Sequence, residues 1–276
     1  MAWNRFRSHV VAIALVLWDN KVMKATRGAM RSATAAERKA RAIPPAYTNV
    51  LIAVDPKVDL QATAVCPSGK TAYFYSVDYV RRQVNEKWAR VRKVTKRIDD
   101  IAERVEKDSK SGIGEAMTIR LILQTGLRNG GKMQGKKEAY GASSLRMEHV
   151  VLKGDEILLT FPGKKGVAQA HSLTDPILAT WIRSQRKAGS MTLFNHEAND
   201  TLKYLRSIAG VKIKVHDLRT WYANVLAAAL VARLVAEATT LKKLRKAVGT
   251  EVGAKLGNTA SVALKSYIHP SVFGEE

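Results

Sequence analysis

The sequence predicts an α+β protein of two domains: a small N-terminal domain of residues 1–84 with an antiparallel β-sheet and helices, and a larger, mainly helical domain of residues 85–276 with a small three-stranded antiparallel sheet. Hydrophobic residues recur with a period of two through 48–77, which is typical of strands. From 80 to 107 they recur every three or four residues, which indicates a helix. Two further apolar runs flank a tight turn at 162–166, which predicts a hairpin in the larger domain.

The smaller domain is expected to be an antiparallel meander preceded by a helix. Residues 32–41 begin with Ser and Thr and continue with strong helix formers, and the prolines at 44–45 end that helix because proline cannot continue it. Three strands are then expected at 50–54, 60–65 and 71–77, separated by turn residues.

Two tyrosines lie on the third of these strands, after a turn that contains Lys70. Tyr73 and Tyr75 are two residues apart, so they share one face of the strand. With Lys70 they are candidates for a nucleic-acid contact. A half-buried aromatic face of the sheet explains the same spacing, and both interpretations stay open.

The larger domain is expected to consist mainly of helices. The helix at 80–107 carries an apolar stripe, with Lys and Arg on its other faces. Arg219 is expected directly before a long Ala-rich helix, and Tyr267 near the end of a short one. Further helices are expected at 117–123, 176–186, 199–208, 221–240 and 260–266.

The net charge favours a polyanionic partner. Lys and Arg total 46 against 24 Asp and Glu, which gives a formal charge of +22. Self-repulsion of this size opposes a compact state unless a polyanion neutralises part of it. Nucleic acid is the favoured partner, through its phosphates. An anionic membrane is the second interpretation, and a solvated basic surface the third.

Cysteine usage and the N-terminal residues bear on the compartment. Cys66 is the single cysteine, so the chain can form no internal disulfide, which fits a reducing compartment. The histidines lack zinc-ligand spacing, and we expect no metal. The apolar run at 9–18 is too short to span a bilayer, and no signal cleavage site follows it. We expect a cytoplasmic, nucleoid-associated protein; organellar or nuclear targeting by residues 1–40 stays open.

Four residues in separate segments have the chemistry that attack on a phosphodiester requires. Tyr267 offers a phenolic oxygen as nucleophile, and Arg219 a fixed cation for the charge that develops. Arg128 follows an apolar helix at a glycine-rich break, and Lys164 lies on the hairpin turn. Structural explanations also exist, since cations are common at helix ends and in hairpin turns.

Several segments together resemble the type IB DNA topoisomerase family in its compact bacterial and poxvirus-like form. The run IPPAYTNV is similar to the family's N-terminal signature IPPAWTDV, and the other segments resemble its DNA-facing sheet and its catalytic motifs. These segments are 43–50 (IPPAYTNV), 60–63 (LQAT), 70–75 (KTAYFY), 126–128 (GLR), 163–164 (GK), 217–221 (DLRTW) and 265–270 (KSYIHP).

The resemblance implies a role for each matching residue. Tyr267 would attack the scissile phosphate and form a 3′-phosphotyrosyl link, while Arg128 and Arg219 brace the non-bridging oxygens. Lys164 would protonate the departing 5′-oxygen, with Lys165 the less favoured choice. Asn258 occupies a position where many members carry histidine, and its amide can still donate one hydrogen bond to phosphate.

The resemblance also implies how the protein meets its substrate. A monomer would clamp double-stranded DNA, with residues 1–84 as a DNA-binding domain and 85–276 as the catalytic domain. Lys70, Tyr73, Tyr75 and Lys132 would contact DNA. Neither metal nor ATP is expected as a cofactor, since the phosphotyrosyl link conserves the energy for resealing, and no membrane is expected as a partner.

One departure points to a related family. His216 and Arg219 form the His-x-x-Arg pattern of tyrosine recombinases, where type IB enzymes usually carry lysine first. His216 is therefore a candidate phosphate contact or an ordinary loop residue. A site-specific tyrosine recombinase and a non-catalytic basic DNA-binding protein of the same fold are the alternative functions. The segments 43–75 and 265–270 favour the topoisomerase.

Overall fold

A computed structural model of the chain describes residues 25–130, 139–236 and 238–275. The apolar run at 9–18 and the candidate DNA contact Lys132 lie outside the described residues. The chain divides into two compact units, Met1–Lys87 and Trp88–Glu276. The division falls within a 34-residue helix, α2 (Val77–Lys110).

The first unit is built on a four-stranded antiparallel sheet. Its strands pair in sequence order, and Ser32, Leu51, Thr63 and Tyr73 lie opposite one another across the four strands. The elements before α2 are β1 (Met30–Ser32), α1 (Ala35–Ala40), β2 (Thr48–Ala53), β3 (Leu60–Val65) and β4 (Thr71–Tyr75).

One face of this sheet forms a small core. Ile52 and Ala62 are fully buried there and pack with Ile43, which follows α1. Helix α1 begins later than expected because Thr34 is its N-cap: the Thr34 hydroxyl accepts from the Glu37 N–H, and the Glu37 carboxylate accepts from the Thr34 N–H. Strand β1 was not expected, since three residues are too few to show a period.

The second unit combines helices with a three-stranded antiparallel sheet in the order β5-β6-β7. The α+β class and an antiparallel sheet in each unit are therefore confirmed. Its elements after α2 are α3 (Gly114–Thr125), β5 (Val150–Lys153), β6 (Glu156–Pro162), β7 (Ala168–Thr174), α4 (Pro176–Lys187), α5 (Ala198–Ala209), α6 (Val215–Leu234), α7 (Leu241–Lys255) and α8 (Ala260–Ser266).

Helix α6 differs from the expected helix at both ends. It begins at Val215, not directly after Arg219, so Arg219 lies inside the second turn. The backbone N–H of Lys214 donates to the Asp217 carboxylate at 2.8 Å, which caps the helix earlier than the apolar pattern suggested. The helix also ends at Leu234, short of the expected end at 240.

Two hydrophobic cores fill the second unit. The larger one joins α2–α5, the sheet and the start of α6, with Val94, Ile119 and Leu145 fully buried. The smaller one lies between α6, α7 and α8 and includes Val248, Ala263 and Tyr267. Helix α6 contributes to both, so its position is fixed from two sides.

Among the described residues, none of the helices has the length and apolar character that crossing a membrane requires. Within the same residues, no group of three or more His, Cys, Asp and Glu side chains is arranged to hold a metal ion.

The buried carboxylate of Asp175 connects α3 to α4. It accepts from Arg120 Nε at 2.6 Å, from Gln124, and from the backbone N–H groups of Ile177 and Leu178 at the start of α4. Burial raises its pKa, and these hydrogen bonds outweigh burial and hold the pKa below its usual value. Its stabilising contribution is therefore present at neutral pH and is lost as the pH falls through the lowered pKa.

We expect Asp175→Ala to lower the free energy of unfolding by about 3–5 kcal/mol at pH 7, because it leaves the Arg120 guanidinium without its carboxylate and removes the cap of α4. Urea unfolding measures the change. Asp99→Ala, at an exposed position of α2, is the matched control. A loss equal to that of the control would contradict the assignment of Asp175 as the link between the helices.

Candidate active site

Arg219 is the centre of the candidate site. Only 2% of it is exposed, and its guanidinium donates to two backbone carbonyls, Gly126 O at 2.5 Å and Leu256 O at 2.6 Å. Gly126 ends α3 and Leu256 ends α7, so the cation meets the carbonyl ends of two helices, where their dipoles favour positive charge. Burial, the largest effect, lowers the pKa of Arg219 to about 10, and the group stays charged at neutral pH.

Arg128 follows the first of these helix ends. Gly126 adopts a left-handed conformation at φ 66°, which turns the chain out of α3 two residues before Arg128. The Arg128 carbonyl then accepts from the Ala142 N–H at 2.7 Å. Beside it, a Cβ on Gly141 would lie 2.5 Å from the Gly130 nitrogen, so only glycine allows the two backbones to approach there. The Arg128 segment is therefore fixed on both sides.

Lys164 lies where the hairpin sequence predicted it. It occupies the tip between β6 and β7, which the Gly163 N–H closes by donating to Val167 O at 2.8 Å. Partial desolvation, and next the charge of Arg128, lower the pKa of Lys164, while Tyr267 acts in the opposite direction. Its ammonium therefore gives up a proton more readily than an ordinary lysine.

Asn258 follows the second helix end that Arg219 binds. Its backbone N–H donates to Gly253 O at 2.8 Å. The Nδ2 of Asn258 and the Nε of Arg219 are both buried and have no hydrogen-bond partner among the described residues. Because buried donors without partners are costly, two such groups lining one cleft indicate a place for an acceptor.

Tyr267 ends helix α8 and is 3% exposed. Its ring lies 5.1 Å from the Arg219 guanidinium carbon. Burial raises the pKa of the Tyr267 phenol, but the charges of Arg219 and then Arg128 outweigh burial, so the pKa falls below its ordinary value. Tyr267 therefore loses its proton more readily than an ordinary tyrosine, which suits a nucleophile.

His216 also lies beside the phenol, with its ring 5.5 Å from that of Tyr267. His216 is on the first turn of α6, and it therefore lies close to the candidate nucleophile Tyr267.

A cleft of about 230 Å³ opens beside these groups. Four of the five predicted catalytic residues line it, and Tyr267, the fifth, packs against Arg219 at its edge. The lining residues are Leu127, Arg128, Tyr140, Gly141, Phe161, Gly163, Lys164, Lys165, Val167, Gln169, Arg219, Leu256, Gly257, Asn258 and Val262. Six of these residues carry a cationic or amide side chain that an anion could contact: Arg128, Lys164, Lys165, Gln169, Arg219 and Asn258.

The predicted DNA contacts Lys70, Tyr73 and Tyr75 belong to the first unit, whereas the residues that line the cleft belong to the second. Lys70 is exposed in the turn before β4. Tyr73 is 37% exposed, opposite Thr63 in the sheet. Tyr75 is half-buried, and its ring stacks on Tyr79 at 4.7 Å. Of the two tyrosines, Tyr73 presents the more accessible ring.

Sequence reasoning missed three polar residues of the site. On β7, Gln169 packs against the backbone of Gly257 and lines the cleft, and His171 faces the same way two residues on. Burial, then the charges of Lys255 and Arg219, lower the pKa of His171 to about 4. The third is Asn224. The period of two after Lys164 was a signal for the β7 residues, and a single Asn in an Ala-rich helix was a signal for the third.

Asn224 fixes the backbone around Tyr267. Its Nδ2 donates to Tyr267 O at 2.8 Å and to Thr220 O at 2.7 Å, and its Oδ1 accepts from the His269 N–H at 2.8 Å. Asn224 and Arg219 are on the same helix, so α6 contributes to the positions of both Tyr267 and the Arg219 guanidinium.

We expect ultraviolet difference titration to detect one tyrosine that ionises at lower pH than the others. Tyr267→Phe removes that early step, and Arg128→Ala moves it to higher pH, because one of the two charges that favour the phenolate is lost. Tyr204→Phe is the control, since burial raises the pKa of Tyr204. An early step that survives in Tyr267→Phe would contradict the assignment.

Comparison with known proteins identifies the family. Residues 79–273 match the family described as eukaryotic DNA topoisomerase I, catalytic core. The DNA topoisomerase 1B of Acanthamoeba polyphaga mimivirus is 26% identical over 251 residues, which are 82% of this chain and 75% of that protein.

Solved structures add a weaker likeness. Two crystal structures of the XerH site-specific recombinase bound to difH substrate, a post-cleavage and a pre-cleavage complex, align with TM-scores of 0.39 and 0.37 at 16% and 15% identity. They cover 62% and 66% of this chain, which spans about half the length of each (47% and 49%). These values are too low to carry a property of the recombinases to this chain. The family match, by contrast, covers most of the sequence, and the chain belongs to the type IB DNA topoisomerase family of enzymes.

Proposed function

We propose that this enzyme relaxes supercoiled DNA by cutting one strand through a 3′-phosphotyrosyl intermediate, allowing the strand to rotate, and resealing it. The observation that carries the proposal is the contact of the buried Arg219 guanidinium with the Tyr267 ring at the edge of a cationic cleft. A phosphate in that cleft would meet the two groups that its cleavage requires, a nucleophile and a fixed positive charge.

The proposed cleavage is a single displacement at phosphorus. The Tyr267 oxygen, having lost its proton to solvent, forms the bond to phosphorus as the bond to the 5′-oxygen breaks. Lys164 gives its proton to that oxygen, so the products are a phosphotyrosyl link and a free 5′-hydroxyl. Resealing is the reverse: the hydroxyl returns its proton to Lys164 and displaces Tyr267. One phosphoester bond is broken and one formed in each direction.

The cations of the cleft act on the transition state. Charge spreads over the non-bridging oxygens of the phosphate, and guanidinium groups can bind two oxygens at once. Arg128 and Arg219 take this role, and the unpartnered Arg219 Nε and Asn258 Nδ2 provide further donors. Because these groups are held before the phosphate arrives, little reorganisation is needed at the moment of reaction.

DNA binding in this proposal uses both parts of the chain. Residues 1–84 form a DNA-binding domain in which Lys70, Tyr73 and Tyr75 contact the duplex, and Lys132 contacts it from the catalytic domain of residues 85–276. The monomer clamps the duplex. The charge of +22 supports such a polyanionic partner, and the place of action is the DNA-containing compartment of the cell.

The contact of His216 with Tyr267 supports a second candidate, a site-specific tyrosine recombinase. A recombinase exchanges strands between two cognate duplexes, whereas a topoisomerase reseals the strand that it cut. Strand exchange without simple relaxation of a plasmid would favour this candidate.

We expect the wild-type protein to relax a supercoiled plasmid in the presence of EDTA and without ATP, since the phosphotyrosyl link retains the bond energy. Tyr267→Phe abolishes relaxation and covalent attachment to the 3′ end, while gel-shift binding stays near wild type because only the hydroxyl is removed. Tyr204→Phe is the matched control and relaxes normally. Relaxation by Tyr267→Phe would show that another residue is the nucleophile.

We expect Lys164→Ala to slow single-turnover cleavage by about 10²–10⁴-fold, because the 5′-alkoxide then departs without a general acid. A substrate with sulfur in place of the bridging 5′-oxygen should restore most of the rate, since a thiolate leaves without a proton. Lys165→Ala, on the neighbouring residue of the same turn, serves as control. Equal losses on the oxygen and sulfur substrates would instead assign Lys164 to binding.

A further inference from the structure

Two side chains near the start of the second unit contact the segments that carry Arg219 and Tyr267. Trp88 and Arg90 are the first and third residues of that unit and lie two residues apart on α2. Their helix is anchored by Val91 and Val94, which are buried in the second unit. Neither residue lines the cleft.

Arg90 contacts the Arg219 segment. Its Nε donates to Asp217 Oδ2 at 3.0 Å, and Asp217 is 1% exposed. The same carboxylate oxygen accepts from the Lys214 N–H at 2.8 Å and so caps α6, two residues before Arg219 and next to His216. Burial raises the pKa of the Asp217 carboxyl, and the charge of Arg90 opposes that effect. Without that cation the first turn of α6 would lose the cap that sets the position of Arg219.

Trp88 contacts the Tyr267 segment. Its ring meets the His269 ring edge-on, at 4.6 Å between centroids and 88° between planes. His269 lies two residues after Tyr267, and its N–H donates to Asn224. An edge-on aromatic contact restricts both the ring and the backbone that carries it. The chain after the nucleophile candidate is thus held by α6 through Asn224 and by α2 through Trp88.

We propose that Trp88 and Arg90 are positioning residues for strand cleavage. One turn of α2 contacts both the Arg219 segment and the Tyr267 segment and so helps to fix their separation, in addition to Asn224 and the smaller core. The inference rests on the proposed function. It adds a requirement outside the cleft: the phosphate contacts are unchanged when Trp88 or Arg90 is altered, but the phenol and the guanidinium lose their alignment.

The test separates chemistry from binding in the full-length chain. Single-turnover cleavage of a duplex oligonucleotide at saturating protein gives the rate of the chemical step, and equilibrium binding of the same duplex gives the dissociation constant. We expect Trp88→Ala and Arg90→Ala to slow cleavage by about 10- to 100-fold, because small misplacements of reacting groups cost rates of that size. The dissociation constants stay near wild type.

Conservative and matched variants test whether the losses come from unfolding or from the mere removal of a side chain or charge from α2. Trp88→Phe retains an aromatic edge and recovers most of the rate. Arg92→Ala removes the same charge from an exposed position of α2 and leaves both cleavage and binding near wild type. Urea midpoints for all variants identify any that fail to fold; if Arg90→Ala fails, the pair Trp88→Ala and Trp88→Phe decides.

The proposal is overturned if folded Trp88→Ala and Arg90→Ala cleave at the wild-type rate, or if their losses appear in binding alone. Failure of the wild-type protein and of Arg92→Ala to cleave any duplex would instead reject the proposed function.

Discussion

The site depends on one buried cation. The Arg219 guanidinium binds the carbonyl groups that end α3 and α7, Gly126 O and Leu256 O. Each carbonyl lies two residues before a residue of the cleft, Arg128 in one case and Asn258 in the other. The Tyr267 ring packs on the same guanidinium. One side chain therefore sets the positions of three segments that are distant in sequence.

This arrangement places like charges close together at a cost that the fold must offset. Burial is the largest cause of the lowered pKa values of Lys164 and Arg219, and the charge of Arg128 lowers both further, as repulsion between cations does. The helix-end carbonyls offset part of that cost for Arg219. The phenol of Tyr267 offsets part of it for both Arg219 and Lys164. A phosphate would relieve the remainder, since it brings negative charge to the group. The repulsion among these cations in the free protein therefore favours binding of an anion.

Much of the candidate site could be predicted from the sequence because its residues lie in recognisable local patterns and in segments that resemble a known family. A glycine-ended helix marked Arg128, a hairpin turn marked Lys164, and a short polar helix marked Tyr267. The predicted start of α6 was wrong because the residue that caps the helix, Asp217, is held by Arg90, which lies 127 positions away in the sequence. Asn224, Gln169 and His171 were missed for a related reason, since each acts on a backbone or a side chain from a distant segment. Local periodicity indicated that Gln169 and His171 share a face of their strand, but not which groups they would contact there.

In the first unit, too, local sequence patterns did not reveal contacts between separate segments. The meander from β2 to β4 follows the alternation of its residues, whereas β1 exists only because its backbone pairs with β2. The spacing of Tyr73 and Tyr75 fixed their shared face but not their accessibility, which depends on the stacking of Tyr75 against Tyr79 in α2.

The two carbonyl contacts of Arg219 have a consequence for how this region can vary among relatives. A carbonyl group is common to all residues, so for this contact the identity of the residue at position 256 matters less than the length of the chain between the carbonyl and the cleft residue. A single-residue insertion or deletion between Gly126 and Arg128, or between Leu256 and Asn258, would rotate the downstream side chain away from the cleft even if every other residue were kept. Homologous sequences should therefore exclude gaps at these places and keep Gly126 and Gly257, whose left-handed conformations other residues rarely adopt.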